Sequence, residues 1–411
     1  MQRGTNLPAL GGYNRAVVLD LIRRAPAGLS RVELAGQTGL SAQTVSNVAK
    51  RLLADGVVLE TGKSSGGQGK PRTILQLEAR ARVAIGVHLD PSVITYVMLD
   101  LEGRVIAHSR SLTPSATSPA VAISTIAASI EALITETGVA RADVLGVGIA
   151  APGPIDAARG ILIDPPLLIG WELVELRDAL LEATGLPVLL EKDVTAAAVA
   201  ELWLRSGEQR DNFAFFYYGT GFGIGLVLGH EVVRGSSHNA GDAGHIIVDE
   251  RLGGALCPCG RTGCVGVLIA PAQLVREAVS AGTIEAVGGE PDAAQLLAGL
   301  EALAAAGRRG EPASVLLLDV AASRIADALV TVVNLLDVDR IVFGGPFWQP
   351  LGEALLSRVP QLLAAHPALV QRHEIVLAES GAESDVTAVG AACLVLDNTF
   401  SPRPSALLLS R

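Results

Sequence analysis

Three of the four cysteines fall within eight positions, and this spacing constrains the fold of the chain more than any other feature. The segment reads Cys257-Pro-Cys259-Gly-Arg-Thr-Gly-Cys264, and His245 lies upstream of it. One imidazole and three thiolates form the ligand set of a closed, tetrahedral structural zinc site, which leaves no coordination position for catalysis. We therefore predict a structural Zn²⁺ ion bound by His245, Cys257, Cys259 and Cys264. The alternative is a set of unliganded cysteines.

The first eighty residues carry the signals of a helix-turn-helix followed by a hairpin. Ser30-Arg31-Val32-Glu33 has the pattern of a capping box that begins a short helix, and Thr38-Gly39-Leu40 has the pattern of a tight turn. Ser41 then caps a longer helix. This order is typical of a winged helix-turn-helix. The predicted helices cover residues 14–24, 31–37 and 42–55, and the predicted strands cover 57–60 and 73–77.

The longer helix separates apolar from polar side chains. Val45, Val48 and Leu52 share one face and should pack inward. The other face carries polar and basic groups suited to base edges and phosphates, and the glycine-rich loop between the two strands adds basic groups for the DNA backbone or minor groove. The predicted DNA-binding residues are Ser41, Gln43, Thr44, Ser46, Asn47, Lys50, Lys63, Lys70 and Arg72. The alternative is a three-helix structural module that does not bind DNA.

Charge is distributed unevenly between this segment and the rest of the chain. Residues 1–80 contain 11 Lys and Arg against 5 Asp and Glu, a formal charge of +6. The whole chain carries −10, so the remaining residues carry −16. A basic segment beside an acidic body favours a nucleic-acid-binding module attached to one that does not bind nucleic acid, although chance surface charge gives the same pattern.

Beyond residue 80 the sequence alternates predicted strands and helices, which is typical of an α/β fold. Four alternating glycines at 219–225 lie between two predicted strands, where a backbone can approach a phosphate or another strand closely. No uninterrupted apolar run reaches the roughly 18 residues of a membrane span, and residues 1–14 lack the apolar core of a secretory signal. We therefore expect a cytoplasmic protein without a membrane partner.

Taken together, these segments resemble the ROK family, which contains sugar-responsive repressors and sugar kinases. The resemblance extends from about residue 14 to residue 397, and the N-terminal module is similar to the repressor branch that responds to xylose or N-acetylglucosamine. It implies a winged helix-turn-helix followed by an actin-like, sugar-kinase-type body of two lobes. The segments that carry the resemblance are Pro152-Gly153, Gly170-Trp171, Asp193 with 196–201, the glycine loop 219–225, 239–245, the cysteine segment 257–264, and 341–345.

The resemblance also implies how the chain is divided. Residues 1–80 would form the DNA-binding domain, and residues 81–192 the first lobe, completed by about 383–398. Residues 193–382 would form the second lobe with the metal motif, and 399–411 a loose tail.

The resemblance to the kinases is incomplete at the first phosphate-binding turn. Family kinases carry Asp-x-Gly-Gly-Thr on the first hairpin, whereas the matching segment here reads Gly86-Val-His-Leu-Asp90-Pro-Ser. The paired glycines and the threonine are absent, and Pro91 removes an amide donor. Asp193 matches the position of the family's catalytic base, and it also suits a helix N-cap. We therefore expect no kinase activity.

The family's sugar-contacting positions are altered as well. Leu167 and Gly266 stand where the family has Asn and Glu. Lys192 replaces an Asn, and Asp242 replaces a Glu. Losing two charge-assisted contacts costs roughly a hundred-fold in affinity, so a plain hexose is not the expected ligand. Lys192 favours an anionic ligand such as a sugar phosphate or sugar acid, or else it pairs internally with Asp193 or Asp242. The predicted effector-binding residues are Lys192, Asp193, Asp242 and His245.

Three functions are compatible with these observations. The first is a ligand-responsive DNA-binding regulator, most simply a repressor of carbohydrate-related genes that binds a palindromic operator as a homodimer or homotetramer. The second is a sugar kinase with a DNA-binding head, and the third is a regulator controlled by a protein partner. The first agrees with the largest number of features.

Overall fold

The computed structural model describes residues 7–64, 72–113, 118–165, 168, 170–204, 212–249, 255–285, 291–382 and 385–400. A small N-terminal head precedes a body that contains two five-stranded sheets. This architecture agrees with the predicted α/β body of two lobes behind a helix-turn-helix.

The head has three helices and a three-stranded antiparallel sheet in the order β1-β3-β2. The first helix begins at Leu7, so the predicted start at Asn14 was wrong. The helix includes Pro8 in its first turn, where proline is tolerated, and it continues through Gly11 and Gly12 despite their low helix propensity. Strand β1 was not predicted because two residues show no alternation. The elements are α1 (Leu7–Arg23), β1 (Leu29–Ser30), α2 (Arg31–Thr38), α3 (Ala42–Ala54), β2 (Val58–Ser64) and β3 (Arg72–Leu77).

Side-chain caps fix the helix-turn-helix. Ser30 Oγ accepts a hydrogen bond from Glu33 N at 3.3 Å, and Ser30 N donates to Glu33 Oε2 at 2.7 Å, which completes the predicted capping box. Gly39 ends α2 with φ +68°, a conformation that favours glycine. Ser41 Oγ then accepts from Thr44 N at 3.1 Å at the start of α3. Each such cap contributes about 1 kcal/mol, so the turn is specified by local residues.

The first sheet of the body has the strand order β10-β7-β4-β5-β6, and β8 pairs separately with β9. Strands β4 and β5 are almost entirely buried because helices cover the sheet. A Cβ at Gly148 would overlap the carbonyl oxygen of Ala391, so this glycine lets the last helix, α13, approach the sheet closely. The elements are β4 (Val83–Leu89), β5 (Val93–Asp100), β6 (Val105–Leu112), α4 (Pro119–Thr137), β7 (Val144–Ala151), β8 (Ile155–Asp156), β9 (Ile161–Leu162), α5 (Leu176–Thr184) and β10 (Val188–Lys192).

Among the described helices, α4 is the one long and apolar enough to cross a membrane by length and composition. Its buried residues recur at helical spacing and belong to the core formed with the first sheet. The helix is therefore amphipathic in the fold, as expected for a helix that covers one face of a sheet. The buried residues are Ala122, Ile126, Ile130, Leu133 and Ile134.

The second sheet has the order β13-β12-β11-β14-β15. Its central strand, β11, is continuously apolar and buried, which is typical of a strand paired on both sides. The elements are α6 (Asp193–Leu204), β11 (Phe213–Tyr218), β12 (Phe222–Leu228), β13 (Glu231–Val232), α7 (Val265–Leu268), α8 (Pro271–Ser280), α9 (Ala293–Arg308), α10 (Pro312–Leu336), β14 (Arg340–Gly344), α11 (Gln349–Leu356), α12 (Val359–Ala364), β15 (Val376–Glu379) and α13 (Val386–Phe400).

The head packs directly against the body. The guanidinium of Arg23, at the end of α1, lies 4.1 Å from the ring centroid of Trp203 near the end of α6. Arg82 of the body also donates from Nη2 to the carbonyl oxygen of Asp55, in the head, at 3.5 Å. These contacts join the head to the body. Within the body, helices α6 and α13 are in close contact, since a Cβ at Gly390 would overlap the Ala196 carbonyl. The domain boundaries at residues 80, 192 and 382 stay predictions.

Candidate functional site

Helix α3 presents a polar face to solvent. Gln43, Ser46, Asn47 and Lys50 are exposed, while its apolar residues, including Val45, are buried in the core of the head. Gln43 Nε2 donates to Asn47 Oδ1 at 3.1 Å, so two amides stand together one turn apart. Amides of this kind can form bidentate hydrogen bonds with adenine in the major groove. The predicted inward and outward faces therefore agree with the structure.

Two of the predicted DNA-binding residues have a structural role in α3. Ser41 and Thr44 hydroxyls lie 2.9 Å apart, and Ser41 caps the helix. On the hairpin, Arg72 is exposed at the start of β3. Lys63 is in β2, but its side chain lies outside the described residues, as does the whole of Lys70. The basic loop of the hairpin therefore stays a prediction.

His245 and three cysteines, here called the Cys₃His cluster, meet at one point of the second lobe. Their ligand atoms all lie within 4.8 Å of one another. Cys259 Sγ and Cys264 Sγ are 3.7 Å apart, and Cys257 Sγ is 3.3 Å from His245 Nδ1. Zn–S bonds of about 2.3 Å in a tetrahedron separate two sulfur atoms by about 3.8 Å, so the cluster fits a zinc ion. The cluster can therefore hold a metal.

The backbone around the Cys₃His cluster is built for close approach. Gly263 has φ +83°, and a Cβ there would overlap the carbonyl oxygen of Asp249. The Arg261 side chain lowers the pKa of the Cys259 thiol to about 6, whereas burial raises the pKa of Cys264 to about 12. A metal ion in this cluster would bind the cysteines as thiolates, because ligand thiols must be deprotonated. Cys393 is buried in α13 and takes no part.

A cavity of about 160 Å³ lies where α6 begins, next to the glycine turn between β11 and β12. Lys192 and Asp193 line it, together with Gly153, Thr220 and Phe222. Lys192 is 7% exposed. Burial raises the pKa of Asp193 to about 6, although Lys192 and the backbone N–H of Val194 act in the opposite direction. The cavity therefore places a buried lysine beside a carboxyl group whose pKa is raised by burial.

The four residues predicted to bind an effector are divided by the structure. Asp242 and His245 are not among the described residues that line this cavity. Asp242 is exposed, and the short turn Ala243–His245 directs the imidazole toward the cysteines. At the other altered family positions, Leu167 lies outside the described residues, and Gly266 packs closely on Gly244. Of the four predicted effector-binding residues, Lys192 and Asp193 therefore line the described cavity, and Asp242 and His245 do not.

Asp90 joins the turn between β4 and β5 to the glycine turn between β11 and β12, a role that the sequence did not indicate. Its carboxylate accepts from Ser92 N at 2.9 Å and from Ser92 Oγ at 2.6 Å. Its second oxygen accepts from Thr220 Oγ1 at 2.9 Å, on the opposite sheet. The hydroxyl groups of both turns are therefore bonded to a carboxylate of the chain itself. The one hint in the sequence was that Asp90 and Pro91 stand where the kinases have paired glycines.

Two further contacts near the cavity were not predicted. Asn239 Oδ1 accepts from Ile155 N at 2.8 Å, and Asn239 Nδ2 donates to Ile155 O at 2.8 Å, which joins the two lobes beside Lys192. Asp90 also lines a second cavity of about 460 Å³, with Arg110 and Phe347 among its walls. The cleft between the lobes is therefore divided at Asp90 into a small and a larger cavity.

Two lobes built on five-stranded sheets, with a glycine turn and a Cys₃His cluster beside the cleft, define a protein of the sugar-kinase structural class. The chain matches the model of the ROK family over residues 84–398, and it belongs to this family.

Repressors are among its curated relatives. The chain is 27% identical over 250 residues to the xylose repressor of Bacillus subtilis (strain 168), a match that covers 61% of this chain and 63% of the relative. The match thus spans less than two thirds of that repressor's length. It is also 23% identical over 376 residues to a putative xylose repressor of Caldicellulosiruptor sp. (strain Rt8B.4), covering 91% of this chain and 93% of the relative.

Solved structures include both a regulator and a kinase. The crystal structure of a ROK family transcriptional regulator, described as a homologue of the Escherichia coli MLC protein, aligns with a TM-score of 0.76 and 23% identity over 95% of this chain and 98% of that one. A ROK family glucokinase from Streptomyces griseus, in complex with glucose and AMPPNP, aligns with a TM-score of 0.61 and 27% identity over 76% of this chain and 98% of that one. The regulator shares the fold of head and body together.

Proposed function

We propose that this chain is a sugar-responsive transcriptional repressor that binds operator DNA through α3. The observation that carries the proposal is the polar face of α3, on which the Gln43 and Asn47 amides stand side by side over a packed core. The similarity to xylose repressors and the regulator-like fold support it. Its place of action would be the cytoplasm, where the operator is accessible.

A helix-turn-helix of this kind reads a short half-site, so two copies are needed for affinity and specificity. We therefore expect a homodimer, or a tetramer of two such dimers, on a palindromic operator with half-site centres about one helical turn apart. The mass of the protein in solution and on a selected operator measures this. A monomer that binds one half-site alone would contradict it.

The DNA-binding proposal is tested by selecting a duplex from a random library and measuring binding to single-base variants. Gln43→Ala and Asn47→Ala should change which bases matter, because each removes a base-reading amide. Arg72→Ala should weaken binding to all sequences and reduce the salt dependence, because it removes a phosphate contact. Arg276→Ala, exposed on the body, is the matched control and should change neither. Unchanged operator binding in all three head variants would refute the placement of the surface.

We infer that the body binds its ligand without transferring phosphate. Phosphoryl transfer needs free donors around the nucleotide phosphates. Here Ser92 and Thr220 donate to Asp90, and Pro91 has no amide hydrogen. ATP consumption measured over a panel of sugars should stay at the level without sugar. Sugar-dependent turnover that disappears in Asp193→Asn would show instead that the chain is a kinase with a DNA-binding head.

We also propose that the Cys₃His cluster holds Zn²⁺ in a structural role. Four protein ligands fill a tetrahedral site, so the ion would cross-link the cysteine loop to the segment that carries His245. The sulfur separation of 3.7 Å supports this metal and geometry. Metal analysis of the purified protein should find one zinc ion per chain.

A further inference from the structure

Among the described residues, the lysine at the end of β10 is buried without a carboxylate at ion-pair distance. Lys192 is 7% exposed, and charged lysines are rarely buried to this extent unless they are paired. Within the described ranges, its ammonium group donates a hydrogen bond to the carbonyl oxygen of Asn239 at 3.4 Å. In the part of the chain that the structure describes, no carboxylate oxygen lies within 4.0 Å of Lys192 Nζ, the distance limit for an ion pair. The internal pairing with Asp193 or Asp242 is therefore not formed.

The lysine lines a small cavity. The cavity of about 160 Å³ also contains the beginning of α6, a twelve-residue helix whose N-terminus favours negative charge. A Cβ at Gly153 would lie 3.0 Å from Lys192 Cε, so the glycine makes room for the stem of the lysine. The buried ammonium of Lys192 thus offers positive charge to this space, while the N-terminus of α6 is already occupied by the Asp193 carboxylate, which accepts from Val194 N.

The acidic groups around this cavity define the rest of the ligand. Asp90 is occupied by Ser92 and Thr220, and Asp193 Oδ1 accepts from Val194 N at 2.7 Å. Among the described residues, no donor bonds to the second oxygen of Asp193, which can therefore accept from a hydroxyl group of a ligand. A ligand that contacts both side chains must present an oxyanion to Lys192 and a hydroxyl group to Asp193. A neutral sugar meets the second requirement and leaves the lysine without an oxyanion in direct contact.

We propose that this cavity binds a small polyol that carries one oxyanion, and that Lys192 selects this ligand over the corresponding neutral sugar. Sugar acids and sugar phosphates share this chemistry. The proposal rests on the sugar-responsive function proposed above, and it names the chemical class of the effector. It assigns Lys192 as the residue that determines specificity.

The experiment is calorimetric titration of the full, metal-loaded chain with glucuronate, glucose 6-phosphate and glucose at pH 7 and fixed ionic strength. At least one oxyanion-bearing probe should bind ten- to a hundred-fold more tightly than glucose, which is the range that one charge-assisted hydrogen bond supplies. Tighter binding of glucuronate identifies a carboxylate ligand, and tighter binding of glucose 6-phosphate identifies a phosphate ligand. Equal affinities, or no binding of any of the three probes, would overturn the proposal.

Variants distinguish selection by Lys192 from general effects on the fold. Lys192→Gln should abolish the preference for the oxyanion, and Lys192→Arg should retain most of it because the charge is kept. Arg276→Gln, exposed on α8, should leave the preference unchanged. If Lys192→Gln unfolds, a loss of preference in Lys192→Arg with retained stability would count against the proposal. Operator binding is measured separately, so failure of this site leaves the DNA-binding proposal standing, and the reverse also holds.

Discussion

Replacing Asp193 by Asn should stabilise the protein, and the gain should depend on pH. Burial raises the pKa of this carboxyl group from 3.8 to about 6. A group whose pKa is higher in the folded state favours folding while it is protonated. That contribution is complete below about pH 4 and is lost as the pH rises toward 6. Above pH 6 the folded protein therefore carries the cost of a desolvated carboxylate, which the neutral amide of the variant would not carry.

The magnitude follows from the shift. A change of about two pKa units, at about 1.36 kcal/mol per unit, sets an upper limit of about 3 kcal/mol. Because the side chain keeps partial solvent contact, we expect a gain of about 1–2 kcal/mol at pH 7.5. Asn retains the acceptor for Val194 N, so the start of α6 should be preserved. At pH 4.5, which lies between the two pKa values, the gain should fall to about a third of its size at pH 7.5.

Urea unfolding followed by tryptophan emission at both pH values measures this difference. Glu182→Gln, an exposed acid on α5, is the matched control and should show no pH-dependent gain. The reasoning would be refuted if Asp193→Asn were less stable than the parent at pH 7.5. A gain of the same size at pH 4.5 and pH 7.5 would also refute it, because desolvation of a charge could not then be the cause.

Three further predictions concern the head, the helix pair and the metal cluster. Ser41→Ala should cost about 1 kcal/mol by removing the cap of α3, seen as a lower melting temperature of the head and weaker operator binding. Gly390→Ala should lower the melting temperature strongly, because its Cβ would overlap the Ala196 carbonyl and separate α13 from α6. Cys264→Ser should remove bound zinc in metal analysis, whereas Cys393→Ser should retain it; equal zinc content would contradict the ligand assignment.

The head was predictable where single residues decide local structure. Ser30 and Ser41 cap α2 and α3 through hydrogen bonds to residues three positions away, and Gly39 adopts the backbone conformation that ends α2. These helix ends could therefore be derived directly from the sequence. The start of α1 could not, because Gly11 and Gly12 have low helix propensity and a proline precedes them, although the first turn of a helix tolerates proline. The metal cluster was equally accessible, since three of its four ligands lie within eight positions.

The cavity depends on distant parts of the chain and was harder to derive. Asp90 and Thr220 are 130 positions apart, and their hydrogen bond exists because two turns of separate sheets meet in the cleft. No periodic pattern in the sequence predicts a contact of this kind. Resemblance to the family grouped Lys192 with Asp242, whereas the fold leaves Asp242 exposed and outside the residues that line the cavity. The sequence could therefore indicate the region of the cavity, whereas the residues that line it depend on how distant segments pack.

Helix α6 connects the cavity to the head through one continuous element. Asp193 begins it at the cavity, and Trp203, about 15 Å further along the helix, lies under Arg23 of the head. If movement of this helix links the two sites, thermodynamic linkage makes the effect reciprocal: a ligand that weakens operator binding tenfold is itself bound tenfold more weakly by the protein on DNA. Operator DNA can then serve as the reagent that reveals the effector, since the true ligand is the one whose affinity changes when DNA is added.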